Sequence, residues 1–203
     1  MIVIVNYGLG NLGSIKNMLK KIGFNSLITS DLKKIEEANK LILPGVGAFD
    51  NGIENLRKFK LIPVLNKVVL EKKIPILGIC LGMQLMTEKS EEGKLPGLGW
   101  IKAETNKFNF PNKNLKIPHM GWNKVKIIKQ SPLTDSLKGE NRFYFVHSYY
   151  VSCKNFSDIL MQTDYGFPFC SAFTSKNIYG VQFHPEKSHQ YGMRLLENFA
   201  LKI

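Results

Sequence analysis

The first 95 residues alternate short apolar runs with segments whose apolar residues recur at helical spacing. Met1–Tyr7 is a continuous apolar run that stops at Gly8, which predicts a strand buried on both faces. Leu12–Ile22 has helical spacing and ends before Gly23, which predicts a helix. The same reasoning predicts strands at Ser26–Thr29, Lys40–Leu43 and Pro75–Ile79, and helices around Leu32–Ala38 and over Ile53–Glu71, the latter interrupted near Pro63. This alternation indicates a parallel sheet covered on both sides.

After Leu95 the helical spacing fades, and residues 96–150 are rich in Gly, Pro, Asn and aromatic residues. Strands are predicted at Trp100–Glu104, Asn123–Ile128, Arg142–Tyr150, Ile159–Thr163, Ser171–Thr174 and Ile178–Phe183, and a closing helix at Gln190–Lys202. No linker, repeat or low-complexity segment divides the chain. We therefore predict a single α/β domain over residues 1–203, with a mostly parallel central sheet flanked by helices and an antiparallel extension.

Composition narrows the class of protein. With 203 residues, 44% of them hydrophobic, the chain should bury roughly 70% of its unfolded surface, which excludes a disordered or fibrous protein. Its longest apolar runs are far shorter than the ~20 residues that span a bilayer, and its N-terminus lacks the features of a secretory leader. We expect a cytoplasmic protein with no membrane partner.

The charge is strongly basic, with 28 Lys and Arg against 16 Asp and Glu. Such a surface attracts nucleic acid, but only three of the basic residues are arginine, which is the residue suited to bidentate phosphate and base contacts. The lysines are also dispersed along the chain. We predict a solvated lysine-rich surface and no nucleic-acid site. A basic patch for an acidic partner or a phosphorylated substrate is the alternative.

The three cysteines, Cys80, Cys153 and Cys170, show no CxxC spacing. An odd number without that spacing indicates neither a disulfide framework nor a zinc cluster. We expect no metal and no cofactor.

A first candidate site is the GxGxxG formed by Gly8, Gly10 and Gly13, with Asp31 after the second predicted strand. This is the spacing of a dinucleotide-binding turn and its ribose-binding acid. The same glycines suit any tight strand-to-helix turn. Dinucleotide binding is therefore an alternative of a different class, and a structural or interface turn is the interpretation we favour.

A second candidate is Cys80, which lies in a GxCxG between a buried strand and a helix. Flanking glycines permit the strained turn of a nucleophile elbow, and the N-terminal amides of the following helix favour a thiolate. The alternative is a small buried side chain at a strand end. His184 and Glu186, in a His-Pro-Glu turn after another strand, favour the nucleophile interpretation. A cysteine nucleophile needs a base and a group that orients it, so the three residues predict a Cys-His-Glu triad.

Acyl transfer also needs N–H donors for the developing oxyanion. The amide of Leu81, just after the nucleophile, is one candidate. The glycine loop after the strand Lys40–Leu43 supplies the other, and we assign it to Gly47. The carboxyl ends of the strands in an open α/β sheet form its ligand crevice, where these motifs all lie.

The segments GICLGMQ and QFHPE resemble the class I glutamine amidotransferase family, whose members hydrolyse glutamine and pass ammonia to a synthase. NYGLGNLGSI, LPGVGAF, IPHMGWN, YFVHSYY and GVQFHPEKS, in this order, are similar to the HisH branch, the glutaminase subunits of imidazole glycerol phosphate synthase. The resemblance extends from residue 2 to about residue 200.

The resemblance implies a fold, an activity and roles for particular residues. Cys80 would be the nucleophile, His184 the acid and base, Glu186 its orienter, and Gly47 and Leu81 the oxyanion hole. Residues implied to line the glutamine pocket are Gln84, His147, Ser148 and Tyr149, and those implied to face the partner are Asn11, Trp122, Asn123 and Lys187. The partner would be a cyclase subunit, a TIM barrel, in a heterodimer of histidine biosynthesis. A relative that feeds ammonia to another synthase, as in amidino-sugar formation, is the alternative.

Overall fold

The computed structural model of the chain describes residues 1–110, 115–135, 137 and 139–203. Its first part follows the predicted alternation of strands and helices. The elements are β1 (Ile2–Val5), α1 (Leu12–Lys21), β2 (Ser26–Thr29), α2 (Leu32–Glu36), β3 (Lys40–Gly45), α3 (Phe49–Lys58), α4 (Leu61–Asn66), β4 (Ile76–Cys80) and α5 (Leu81–Leu85). One π-helical turn, Lys67–Glu71, continues α4.

The second part consists mainly of strands. They are β5 (Lys89–Ser90), β6 (Ala103–Lys107), β7 (His119–Ile127), β8 (Asn141–His147), β9 (Tyr149–Cys153), β10 (Ile159–Asp164), β11 (Pro168–Ser175) and β12 (Ile178–Val181), followed by α6 (His189–Lys202). Short 3₁₀ turns lie at Pro132–Thr134, Phe156–Asp158 and Pro185–Lys187. No helix in the described ranges is long and apolar enough to span a membrane.

The strands form one mixed sheet, which confirms the predicted fold class. The order β2-β1-β3-β4-β12 is parallel throughout, and β11, β10, β7 and β8 extend it in antiparallel pairs. Strand β9 branches from β11 and also pairs with β6, which in turn pairs with β5. In register, Gly45 lies opposite Cys80, and Val181 opposite Ile79, so the carboxyl ends of β3, β4 and β12 lie side by side.

The central strands are apolar on both faces because each face packs against helices. In β1, Val3 and Val5 belong to one buried cluster, and Ile2 and Ile4 to the other. Helices α3 and α4 supply apolar side chains to the first cluster, and α1 and α6 to the second. Burying such faces removes apolar area worth about 25 cal/mol per Å² from water. The two clusters hold the sheet rigid beneath the loops at its carboxyl edge.

Several element boundaries differ from the prediction, and three of these differences have a local cause. The predicted strand Arg142–Tyr150 divides at Ser148 into β8 and β9, which pair with different neighbours. The predicted strand at Trp100 begins only at Ala103, since the Trp100 indole is buried and donates to Asn66 Oδ1 (2.8 Å). The helix break comes at Lys60, which has a left-handed φ of 55°, because Pro63 fits within the first turn of α4.

Candidate active site

Cys80 lies in a strained turn between β4 and α5. Its φ of 53° and ψ of −110° are a backbone conformation that residues with a side chain seldom adopt. The glycines on either side are needed for close packing. A Cβ on Gly78 would lie 2.8 Å from backbone atoms of Met83, and one on Gly82 would lie 1.8 Å from the Leu43 carbonyl oxygen. The GxCxG sequence therefore permits the turn that projects Cys80 from the end of the sheet.

His184 and Glu186 lie beside this turn, at the end of β12. Glu186 Oε1 is 2.8 Å from His184 Nδ1, and both side chains are 1% exposed. The His184 backbone amide donates to the Tyr144 carbonyl (2.9 Å), and the Ser188 hydroxyl donates to the His184 carbonyl (2.6 Å). These bonds fix the turn against β8. The predicted triad residues are therefore brought together by the pairing of β12 with β4.

The electrostatics of this group favour an imidazolium. Burial would lower the pKa of His184, but interactions with Cys80 and with Glu186 outweigh burial and raise it to about 10. Burial would raise the pKa of Glu186, yet the bonded His184 and the Asn11 amide hold it below its usual value. His184 Nε2, which is buried, has no hydrogen-bond partner of regular geometry among the described residues.

A cavity of about 310 Å³ opens above Cys80. It is lined by the predicted residues Gly47, Cys80, Leu81, Gln84, His147, Ser148, Tyr149 and His184. Val46, the neighbour of Gly47 in the glycine loop, also lines it, as do Glu92, Pro118 and Val146, which were missed by the sequence analysis. This volume is at the small end of the range for ligand pockets, which suits a single amino acid. Glu186 lies behind His184 and is not part of the cavity wall.

Both proposed oxyanion donors reach the cavity. Gly47 has a φ of 109°, which requires glycine, and Leu81 is the first residue of α5, so its amide has no acceptor within the helix. The loop that carries Gly47 is tied to the sheet by Tyr7, whose buried hydroxyl donates to the Pro44 carbonyl (2.6 Å). Burial and the proximity of Cys80 raise the pKa of Tyr7, so the phenol keeps its proton.

Gln182, which was also missed, contacts Cys80 directly. It is fully buried, and its Nε2 is 3.7 Å from Cys80 Sγ, within the range of a hydrogen bond to sulfur. Its Oε1 accepts a hydrogen bond from Gln84 Nε2 (3.1 Å), which also donates to the Tyr149 carbonyl (3.1 Å). Its place two residues before His184 is a signal that could have been followed, because alternate residues of a strand share a face.

The four residues expected at a partner interface all make contacts within the chain. Asn11 Nδ2 donates to Glu186 Oε1 (2.9 Å), and Lys187 Nζ lies 5.6 Å from the centre of the Tyr144 ring. Trp122 is 41% exposed and stacks on the His189 ring. Asn123 donates to the Asp164 carbonyl (2.9 Å). Asn11 and Lys187 therefore also support the His184 turn.

The glycine turn does not have the geometry of a dinucleotide site. In such a site the third glycine allows close packing of helix and strand, but a Cβ on Gly13 would meet nothing within 4 Å. A Cβ on Gly10 would instead lie 3.0 Å from Pro44. Asp31 caps α2 by accepting from the Lys34 amide (2.9 Å). Within the described part of the chain, no three His, Cys, Asp or Glu side chains are grouped as metal ligands would be.

Comparison with known proteins shows the family of the chain. Residues 3–203 match the family described as glutamine amidotransferase class-I. The imidazole glycerol phosphate synthase subunit HisH 2 of Methanococcus maripaludis is 59% identical over 199 residues, which are 98% of each chain. The HisH subunit of Leptospira interrogans is 45% identical over 98% of this chain and 99% of its own.

Solved structures show the same fold. A glutamine amidotransferase structure superposes with a TM-score of 0.77 at 18% identity and covers 99% of this chain and 100% of its own. PurLQS from Thermotoga maritima has a TM-score of 0.76 at 17% identity, over 98% of this chain and 96% of that one. The chain therefore belongs to the class I glutamine amidotransferase family and, within it, to the HisH subunits of imidazole glycerol phosphate synthase.

Proposed function

We propose that residues 1–203 act as one glutaminase domain that hydrolyses glutamine to glutamate and ammonia through a thioester on Cys80. The observation that carries this proposal is the position of Cys80, in a strained turn beside the His184–Glu186 pair and at the base of the cavity. The ammonia would pass to the synthase partner named in the HisH relatives, in histidine biosynthesis and in the cytoplasm.

In the first half of the reaction the Cys80 thiolate attacks the side-chain amide carbon of glutamine. The amides of Gly47 and Leu81 are the proposed donors to the oxyanion. His184 enters the step as an imidazolium, in keeping with its pKa of about 10. When the carbon–nitrogen bond breaks, Nε2 gives its proton to the leaving nitrogen, and ammonia departs. The product is a thioester on Cys80 and a neutral His184.

In the second half, water attacks the thioester carbon while neutral His184 accepts a proton from it. Breaking the carbon–sulfur bond restores the thiolate and the imidazolium and releases glutamate. Glu186 remains a carboxylate throughout and holds the Nδ1 proton of His184, which fixes the ring with Nε2 towards Cys80. The two steps together convert glutamine and water into glutamate and ammonia.

The cavity offers groups that match the rest of glutamine. Glu92 is a carboxylate on its lining, held by a hydrogen bond from the Phe49 amide (2.9 Å), and we assign it to the substrate ammonium group. Gln84 uses both of its amide hydrogens within the chain, so it offers the substrate an acceptor oxygen. His147, Ser148 and Tyr149 form the wall beside it.

We assign the partner to the rim of this cavity. Val46, Ile117, Met120 and Trp122 are exposed apolar side chains on or near the rim, where Val46 and Pro118 line the cavity. An exposed apolar patch next to a cavity is typical of an interaction site. The HisH relatives are named as subunits, so a partner subunit is expected. We propose that it is a TIM-barrel cyclase, bound as a heterodimer through this rim and through Asn11, Asn123 and Lys187.

The test is covalent labelling with a diazo-ketone analogue of glutamine, followed by intact mass and peptide mapping, with and without the cyclase. We expect one adduct on Cys80 that excess glutamine prevents. Cys80→Ala should release no ammonia from glutamine, whereas Cys153→Ala should retain the parent rate. Release of ammonia by Cys80→Ala at the parent rate would overturn the proposal. Co-purification then tests whether the bound partner is the cyclase.

A further inference from the structure

A row of hydrogen-bonded side chains connects the middle of β7 with the wall of the cavity. His119 on β7 and His147 on β8 are directly opposite each other in register, and His119 Nδ1 is 2.9 Å from His147 Nε2. Asn123 Nδ2 lies 3.2 Å from His119 Nε2, and His147 Nδ1 lies 2.8 Å from the Tyr149 carbonyl oxygen. Both imidazoles are less than 10% exposed.

Backbone groups at the two ends determine the direction of every hydrogen bond in this row. Asn123 Nδ2 faces the Asp164 carbonyl, and Asn123 Oδ1 accepts from the Lys124 amide, so the amide presents an N–H to His119. His119 Nε2 must then accept, and the ring carries its proton on Nδ1. At the other end, the Tyr149 carbonyl requires a proton on His147 Nδ1, which leaves Nε2 to accept from His119.

The Tyr149 carbonyl sets a second series of bonds on its other side. Because a carbonyl only accepts, Gln84 must turn its Nε2 towards it. Gln84 Nε2 also faces Gln182 Oε1, so Gln182 presents its own N–H to Cys80 Sγ. The contacts are therefore continuous from Asn123 to the sulfur of Cys80.

We propose that Asn123, His119 and His147 are positioning residues that fix the Tyr149 carbonyl, and through it Gln84, in the orientation that binds glutamine. The identity of the bound molecule as glutamine rests on the proposed function. Both lone pairs of the Tyr149 carbonyl are occupied, by His147 and by Gln84, so the peptide cannot rotate without breaking one of the bonds. The row thus holds Gln84 with its oxygen towards the pocket.

The packing around His119 provides a matched pair of variants. Its ring stacks between Tyr165 (4.0 Å between centroids) and Phe145 (4.7 Å). His119→Phe keeps this stack and removes both nitrogens. His119→Asn gives up the stack but keeps an N–H near the position of Nδ1, which can still donate to His147. His119→Phe therefore breaks the row of hydrogen bonds while the aromatic packing remains. His119→Asn keeps the donor to His147 but packs less well.

The first measurement is NMR of the full chain with ¹⁵N-labelled histidine at neutral pH. We expect His119 and His147 to be neutral, each with its proton on Nδ1. A charged ring, or a proton on Nε2 of either residue, would overturn the proposed direction. This readout does not depend on any enzymatic activity, so it remains decisive if the glutaminase assignment fails.

The second measurement is labelling of Cys80 in the full chain by the diazo-ketone glutamine analogue and, separately, by iodoacetamide. One lost hydrogen bond corresponds to a change of up to about tenfold. We expect His119→Phe to raise the half-saturating concentration of the analogue by about tenfold while iodoacetamide reacts at the wild-type rate. His119→Asn should recover part of that affinity.

Variants of Asn123 give an independent test of the donor-to-acceptor direction of these hydrogen bonds. Asn123→Asp places an acceptor against the accepting His119 Nε2, so it should weaken analogue binding more than Asn123→Ala does. Equal half-saturation for wild type, His119→Phe and Asn123→Asp would overturn the positioning role. Absence of labelling in the wild-type chain, alone and with the cyclase, would instead overturn the glutaminase assignment.

Discussion

Asn11 Nδ2 donates to the same oxygen of Glu186 that faces His184 Nδ1. These two residues are 175 positions apart, and Asn11 belongs to the glycine turn before α1. The bond shows that the turn holds the His184–Glu186 pair as well as forming part of the surface.

Replacing Asn11 should therefore slow acylation of Cys80. A hydrogen bond to a charged group contributes about 1.5 kcal/mol or more, which corresponds to about tenfold. We expect Asn11→Ala to lower the single-turnover rate with the diazo-ketone analogue by about that factor. Asn11→Asp should lower it further, because two carboxylates would then face each other. Asn17→Ala, an exposed change on α1, is the control, and equal rates for all variants would rule out the supporting role.

The backbone strain at Cys80 predicts that glycine at this position gives a more stable protein than alanine does. Glycine adopts positive φ without the cost that a Cβ brings, and such strain costs about 1–3 kcal/mol. Cys80→Gly should have a free energy of unfolding at least about 1 kcal/mol above that of Cys80→Ala. Urea unfolding of the two inactive proteins measures the difference. A Cys80→Gly protein no more stable than Cys80→Ala would show that the turn is unstrained.

Acid should destabilise the protein through His119 and His147. Burial lowers the pKa of His119 to about 4 and that of His147 to about 3. Between these values and the unfolded value near 6.5, the unfolded chain binds protons that the native chain does not. Stability therefore falls as the pH decreases through this window, by up to ~1.4 kcal/mol per pH unit for each histidine.

Urea unfolding between pH 6.5 and pH 5 tests this prediction. The free energy of unfolding of His119→Phe should depend less steeply on pH than that of wild type, since one of the two protons is no longer involved. Parallel pH dependences would mean that His119 titrates normally in the folded protein.

The raised pKa of His184 predicts where acylation fails at high pH. In the proposed mechanism the imidazolium supplies the proton for the leaving ammonia, and it is lost only as the pH rises through about 10. The interactions that raise this pKa also stabilise the folded protein. Their contribution to the free energy of unfolding is complete below the unfolded pKa near 6.5 and disappears as the pH rises through about 10. Single-turnover rates with glutamine should therefore stay level through neutral pH and decline near pH 10. A decline centred near pH 6.5 would show that Cys80 and Glu186 do not raise the pKa of His184.

Gln182 should matter for the reactivity of the sulfur. Gln182→Leu removes an N–H near Cys80 Sγ and the acceptor of one Gln84 bond. We expect slower alkylation of Cys80 by iodoacetamide, in contrast to His119→Phe, together with weaker binding of the glutamine analogue. Gln190→Leu, an exposed change on α6, is the matched control. Wild-type reactivity in Gln182→Leu would show that the contact with sulfur is incidental.

The parts of the site that the sequence predicted are those with local causes. The glycines around Cys80 and the proline after His184 shape their own turns, so residues within a few positions were sufficient. The alternating runs likewise predicted the order of strands and helices in the parallel half. Local pattern determines local geometry, and the burial of both strand faces then requires helices on both sides.

The missed residues depend on pairing between distant strands. Gln182 approaches Cys80 only because β12 pairs with β4, and Glu92 reaches the cavity from a segment without any periodicity. The break at Ser148 was missed because aromatic and β-branched residues, which favour strands, occur on both sides of it. Register and changes of partner are properties of the whole sheet, which one strand's pattern does not contain.

That break at Ser148 has a consequence for how the enzyme can vary. His147 belongs to β8, which pairs with β7, whereas Tyr149 belongs to β9, which pairs with β6 and β11. Cys80 stands on a third part of the sheet, between β3 and β12. Substitutions at Asn123 or His119 are therefore expected to change how tightly the substrate is held without moving the Cys80 sulfur, so that affinity and chemical rate would be separable traits in this fold.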